Sequence, residues 1–144
     1  QVVDIRAGIG APNVTPGELS ARFNFRYSTE WDHESLQQKV ESVFAAHDIA
    51  FELDWHLSGK PFLTEPGKLI EAVSQAVAEE TGSPPELSTG GGTSDGRVIS
   101  PAGTDVVELG PVNASIHKID EHVKVDDVIT LTRMYQRILE SMLQ

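Results

Sequence analysis

The reading turns on Ser88-Thr-Gly-Gly-Gly-Thr-Ser-Asp-Gly-Arg97 and on the stretch downstream of it, Asp105-Val-Val-Glu-Leu-Gly110 running into Pro111-Val-Asn-Ala-Ser-Ile-His117. Three consecutive glycines free the backbone for φ > 0 and expose successive N–H groups. Thr93, Ser94 and Asp95 add oxygens, and Arg97 adds a planar cation. Such a loop suits an anion, above all a carboxylate. Asp105–Gly110 reads as a buried strand, and α/β folds gather ligands beyond the ends of their strands, so loop and His117 are expected to face one crevice.

Upstream of the loop, Pro66-Gly67 opens a helix to about Glu80 with an apolar stripe of Leu69, Ile70, Val73, Ala76 and Val77. Thr81-Gly-Ser-Pro-Pro85 stops it, Glu86–Thr89 is a short strand feeding the loop, and Ser94–Ile99 starts a brief helix halted by Pro101 and Gly103. The last helix is predicted from about Val125 to Met142, with Val128, Leu131, Met134 and Ile138 inward and Asp126 or Asp127 near its positive end.

On the N-terminal side, Gln1–Arg6 is strand-like and residues 7–17 are turn-rich. Glu18–Tyr27 alternates, with Leu19, Ala21, Phe23, Phe25 and Tyr27 on one face and Arg22, Asn24 and Arg26 on the other. A helix comes next, to about His47, capped by Thr29 or Asp32, and Ile49–Leu57 alternates again as a third strand. The order β-β-α-β predicts an α+β sandwich lacking its first elements, and with no initiator Met the start looks like a cut. Ser58-Gly-Lys-Pro61 reads as a linker, dividing the chain into residues 1–60 and 61–144.

A chain of 144 residues holds one ordinary domain or two small lobes, and 39% apolar with 23% charged residues is normal for a globular protein. A formal charge of −11 argues against nucleic acid or an anionic membrane surface as partner. With no cysteine there is neither disulfide nor thiolate metal site, so any metal would rely on His, Asp and Glu. A reducing cytoplasm is compatible with that. No signal peptide and no membrane-length apolar run is visible.

The loop lacks the Gly-Lys-Ser/Thr of a P-loop, and the Gly-x-Gly-x-x-Gly spacing fails at Asp95. It is either an anion site or a plain turn. His117 is either a ligand or a surface histidine. His122, beside Asp120 and Glu121, is discounted as a metal ligand because a catalytic zinc needs three protein ligands and acidic clusters are usually solvated faces. His33, His47 and His56 form no metal motif, and Arg22 and Arg26 read by pattern as a solvated sheet face.

Five blocks in order carry a resemblance: Asn13-Val-Thr-Pro-Gly-Glu-Leu19, Phe23-Asn-Phe-Arg-Tyr27, Leu57-Ser-Gly-Lys-Pro-Phe-Leu63, Thr89-Gly-Gly-Gly-Thr-Ser-Asp-Gly-Arg97 and Glu108-Leu-Gly-Pro-Val-Asn-Ala-Ser-Ile-His-Lys118. The chain resembles the C-terminal part of the bacterial succinyl-diaminopimelate desuccinylases, and covers less than half of a member. The resemblance implies a cytoplasmic homodimer that uses two zinc ions to hydrolyse N-succinyl-L,L-diaminopimelate to succinate and L,L-diaminopimelate, on the route to lysine and peptidoglycan. It implies the latter part of a dimerisation domain in residues 1–60, followed by the returning half of an α/β catalytic domain in 61–144.

By the same resemblance His117 matches a zinc-ligand histidine, and Gly92, Thr93, Arg97 and Asn113 match positions around the substrate's carboxylates and backbone. Ser58 and Arg26 match further substrate contacts, and Asn13 an asparagine reaching the partner subunit's active site. The remaining metal ligands and the glutamate base of the family lie in its N-terminal half, and none of those motifs occurs here. The chain alone is therefore expected to be inactive and to associate. Two other readings compete: a non-catalytic carboxylate-binding or interaction module, and a related zinc aminoacylase or dipeptidase.

Overall fold

The computed structural model describes residues 1–144 and divides them into two compact units, Gln1–Leu53 and Asp54–Gln144. It is a mixed α/β chain with four α-helices and one two-stranded sheet.

In the first unit, β1 (Val2–Ala7) pairs antiparallel with β2 (Leu19–Phe23), Ala7 opposite Leu19 and Asp4 opposite Arg22, with an irregularity between Val2 and Asp4. Next comes α1 (His33–Ala46). Of the two candidate caps Asp32 is the one used: its carboxylate accepts from Ser35 N at 2.7 Å, while Ser35 Oγ meets Asp32 N at 3.1 Å. That reciprocal box satisfies two of the amide donors that a helix start leaves orphaned. At the far end Asp48 takes φ 53, the left-handed turn that short polar side chains tolerate, and Ile49 N returns to Phe44 O at 3.4 Å.

The third strand expected over Ile49–Leu57 does not form. The segment is extended and keeps its alternation, with Leu53 and Trp55 half-buried between exposed Glu52, Asp54 and His56, but no ladder joins it to another segment. Phe51 instead lies on α1, its ring 5.1 Å from that of Phe44. A strand is defined by a partner's backbone, which periodicity within the segment does not supply.

The second unit is built on α2 (Lys68–Thr81) and α4 (Val125–Met142). Ala72, Val73, Ala76 and Val77 of the first pack with Met134 and Ile138 of the second, and Leu69, Leu131, Val107 and Leu109 close the cluster. Both helices fall where their 3.6-residue stripes place them. Two details differ: Ala72 is buried, and Val128, expected inward, is exposed. Gly82 ends α2 at φ 81, its N–H returning to Ala78 O at 2.8 Å. Glu80, its side chain 8% exposed, accepts from Arg133 Nε and Arg137 Nε at 2.6 Å each, and Arg137 also reaches Glu79 at 2.7 Å. These arginine hydrogen bonds hold the Glu80 carboxyl below the usual glutamate range, and Glu80 in turn raises Arg137.

Strands expected over 86–89 and 105–109 are likewise extended but unpaired. Side chains take the place of a neighbouring strand around the second of them. Thr64 Oγ1 donates to Val106 O at 2.5 Å and accepts from Val106 N at 3.2 Å, and Tyr135 Oη donates to Leu109 O at 2.7 Å. Ser58–Pro61, read as a linker, belongs to the second unit, where Arg97 bonds Ser58 and Pro61 is half-buried.

Candidate functional site

The glycine loop ends in the short helix α3 (Gly96–Ile99), continued by a 3₁₀ turn over Ser100–Ala102. Gly90, Gly91 and Gly92 do not use φ > 0, contrary to the expectation, because positive-φ glycines occur only at 8, 10, 82 and 103. What the triplet provides is bare backbone. A side chain on Gly92 would meet nothing within 4 Å, so its peptide lies open to a ligand. Gly90 N is turned back onto Ser88 Oγ at 3.0 Å.

Gly96 is the glycine that sterics require. A Cβ there would stand 2.7 Å from Phe62 Cζ and 3.0 Å from Val106 Cγ1. That close approach seats Arg97 against Ser58 and Gly59, where its Nη1 donates to Ser58 Oγ at 3.0 Å and a Cβ on Gly59 would be 3.0 Å from Arg97 Cδ. A guanidinium carries five donors, and this bond to a neutral hydroxyl uses one. Arg97 and Arg26 have no carboxylate partner within the chain, whereas Arg6, Arg133 and Arg137 do. In a chain of formal charge −11, an arginine left without a carboxylate partner is a ready seat for an external anion.

Ser94 does not offer its hydroxyl to a ligand. It donates to the Glu108 carboxylate and accepts from Gly96 N at 3.1 Å. Glu108 is a residue that sequence reasoning does not single out. It stands exposed between half-buried Val107 and Leu109, which signals its outward face but not that this face meets a loop fourteen positions earlier.

His117 lies at φ 60 in a turn tied by Ser115, whose Oγ donates to His122 O at 2.8 Å and accepts from His122 N at 3.0 Å. Ile116 N bonds Asn113 O at 3.0 Å, and His117 N bonds Glu121 Oε2 at 3.3 Å. The His117 ring is exposed and makes no hydrogen bond, while the His122 ring is engaged through Nδ1 with Asp120 O at 2.7 Å. His122 thus serves the turn itself. No hydrogen bond links this turn to the glycine loop, and the open groove of about 650 Å³ along α4, lined by Tyr135, Leu139 and Leu143, contains none of the candidate residues.

The structure brings Ser58 and Arg97 together in the second unit, which also holds the glycine loop, Asn113 and His117; Asn13 and Arg26 belong to the first unit. No three of the chain's His, Asp and Glu side chains converge as a metal-binding group. The donor set therefore does not fit a zinc site made by this chain: His117 is one imidazole without the two further ligands that a catalytic zinc requires.

Among curated proteins, the chain is 57% identical to the succinyl-diaminopimelate desuccinylase of Nitrosococcus oceani, 55% to that of Thioalkalivibrio sulfidiphilus and 53% to that of Alkalilimnicola ehrlichii. Each similarity covers 99% of this chain but 38% of the relative. The chain thus spans well under half the length of the relatives it matches. The sequence pattern of peptidase family M20/M25/M40 runs through residues 3–141, and with it the chain belongs to that family.

Proposed function

We propose that this chain is the carboxylate-recognising part of a zinc-dependent succinyl-diaminopimelate desuccinylase, cleaving N-succinyl-L,L-diaminopimelate to succinate and L,L-diaminopimelate in the cytoplasm. The observation that carries the proposal is Arg97, held by the Ser58 hydroxyl and paired with no carboxylate, five residues after the open Gly92 peptide in a chain 57% identical to a protein of that name. Substrate and product are rich in carboxylates, which a forked guanidinium binds through two parallel hydrogen bonds. Arg97, Gly92, Thr93 and Asn113 contact them, and Ser58 orients the arginine. Arg26 and Asn13 add contacts from the first unit, Asn13 to the active site of the partner subunit in a homodimer.

In this reading residues 1–60 serve dimerisation and residues 61–144 return to the catalytic domain. His117 contributes one imidazole to a metal site whose other ligands come from the part of the relatives' length that this chain does not span. The task of these residues is binding and orientation, and the chain does not hydrolyse the amide by itself.

The test mixes the purified chain with zinc and the remaining portion of the Nitrosococcus oceani relative, and monitors succinate release. Turnover is expected in the mixture only, and is expected to disappear with His117→Gly. Turnover by the chain alone, or none from a verified complex, overturns the reading. The second of those outcomes leaves a non-catalytic carboxylate-binding module, for which one observation speaks: the donor set of this chain does not close a metal site.

A further inference from the structure

Glu108 presents a conflict. A carboxylate costs affinity in any site meant for anions, yet this one reaches over the glycine loop. Its oxygen Oε1 accepts from Ser94 Oγ, and its Oε2 lies 3.5 Å from where a Cβ on Gly91 would stand. The segment carrying it is anchored on both sides. Val106 is held in both directions by Thr64 Oγ1, the Leu109 carbonyl accepts from Tyr135 Oη, and Val107 and Leu109 pack on the α2–α4 cluster. Because side chains of an extended segment alternate, anchoring Val107 and Leu109 inward aims Glu108 outward at the loop.

From Glu108 the connection continues without a gap. Ser94 Oγ accepts from Gly96 N at 3.1 Å, Gly96 is locked between Phe62 and Val106, and Arg97 comes next with its guanidinium on Ser58. The hydroxyl is thus engaged as donor and as acceptor, and its direction is fixed by Glu108. We propose that Glu108 is a positioning residue, which uses Ser94 to fix the Gly91–Gly96 backbone and the departure of Arg97 against the helical core. Its part in recognition rests on the reading of this loop as a carboxylate site. Its charge is incidental to the task, which asks for an acceptor at that place.

The test has two arms on the full chain. In the first, amide hydrogen exchange of Gly96, whose N–H is held by Ser94 Oγ, and of Arg97, whose N–H bonds Ser94 O, is measured for Glu108→Ala, Glu108→Gln and Ser94→Ala. Exchange is expected to rise about tenfold in both alanine variants, the scale of one lost side-chain hydrogen bond, and to stay within about twofold in Glu108→Gln. In the second arm succinate is titrated onto the same variants. Its Kd is expected to rise about tenfold in each alanine variant, no further in the double variant, and hardly at all in Glu108→Gln, with the melting temperature of the α2–α4 pair unchanged. Unchanged exchange in Glu108→Ala, a glutamine variant as impaired as the alanine, or losses that multiply in the double variant overturn the proposal. If the unaltered chain does not bind succinate, the carboxylate reading fails, while the exchange arm still decides whether Glu108 orders the loop.

Discussion

The two units are held by different means. Residues 1–53 contain no buried side chain, whereas residues 54–144 bury Ala72, Val73, Ala76, Val77, Met134 and Ile138 in one cluster and lock Gly96 beside it. The first unit rests on local devices: a two-stranded ribbon, a capping box at Asp32 and a left-handed stop at Asp48. The second rests on contacts between residues far apart in sequence, such as Arg133 with Glu80 and Thr64 with Val106. Local devices can be read in a sequence and stabilise weakly. Long-range burial stabilises more and is harder to read.

The comparison predicts where damage spreads. Ile138→Ala removes a buried side chain from the cluster and is expected to cost about 2–4 kcal/mol in the second unit, seen as a shift in the chemical denaturation of α2 and α4 with the α1 signal unmoved. A loss shared equally by α1 would break the division. Gly96→Ala forces a methyl against Phe62 Cζ at 2.7 Å and is expected to cost about 1–3 kcal/mol, and to release Arg97 from Ser58. Nuclear magnetic resonance of the guanidinium would report that release.

Asp32→Ala is expected to do less, fraying the first turn of α1 in amide exchange and leaving the second unit untouched. The smallest effect is that of acid. The Glu80 carboxyl is lowered when folded, so its contribution is complete above the ordinary glutamate value of about 4.3 and is lost as pH falls through the folded value. An acid titration should therefore loosen α2 from α4 below about pH 4, and Glu80→Gln should flatten that response. A response of the same size in the glutamine variant would assign it to other carboxylates.

The same contrast explains what the residues disclosed. The stripes of Val73, Ala76 and Val77 and of Leu131, Met134 and Ile138 placed α2 and α4 because helix hydrogen bonds are local, and the side chains need only a shared face. The strands expected over 49–57 and 105–109 failed for the converse reason: alternation describes a segment's two faces but not who pairs with its edge. In the candidate site the glycine triplet and Arg97 were visible as types, and their resemblance to a known family gave them roles. The bond from Arg97 to Ser58, thirty-nine positions away, and the diversion of Ser94 to Glu108 were not visible, since both depend on how Gly96 is packed.

The left-handed backbone of His117, at φ 60, bears on how its imidazole should be deleted. Alanine at such a position keeps the Cβ that disfavours this conformation while losing the side chain, so an effect of His117→Ala mixes chemistry with a displaced turn. Glycine accepts φ 60 freely. His117→Gly is therefore the cleaner excision, and free imidazole supplied in solution to that variant has an undistorted vacancy to enter.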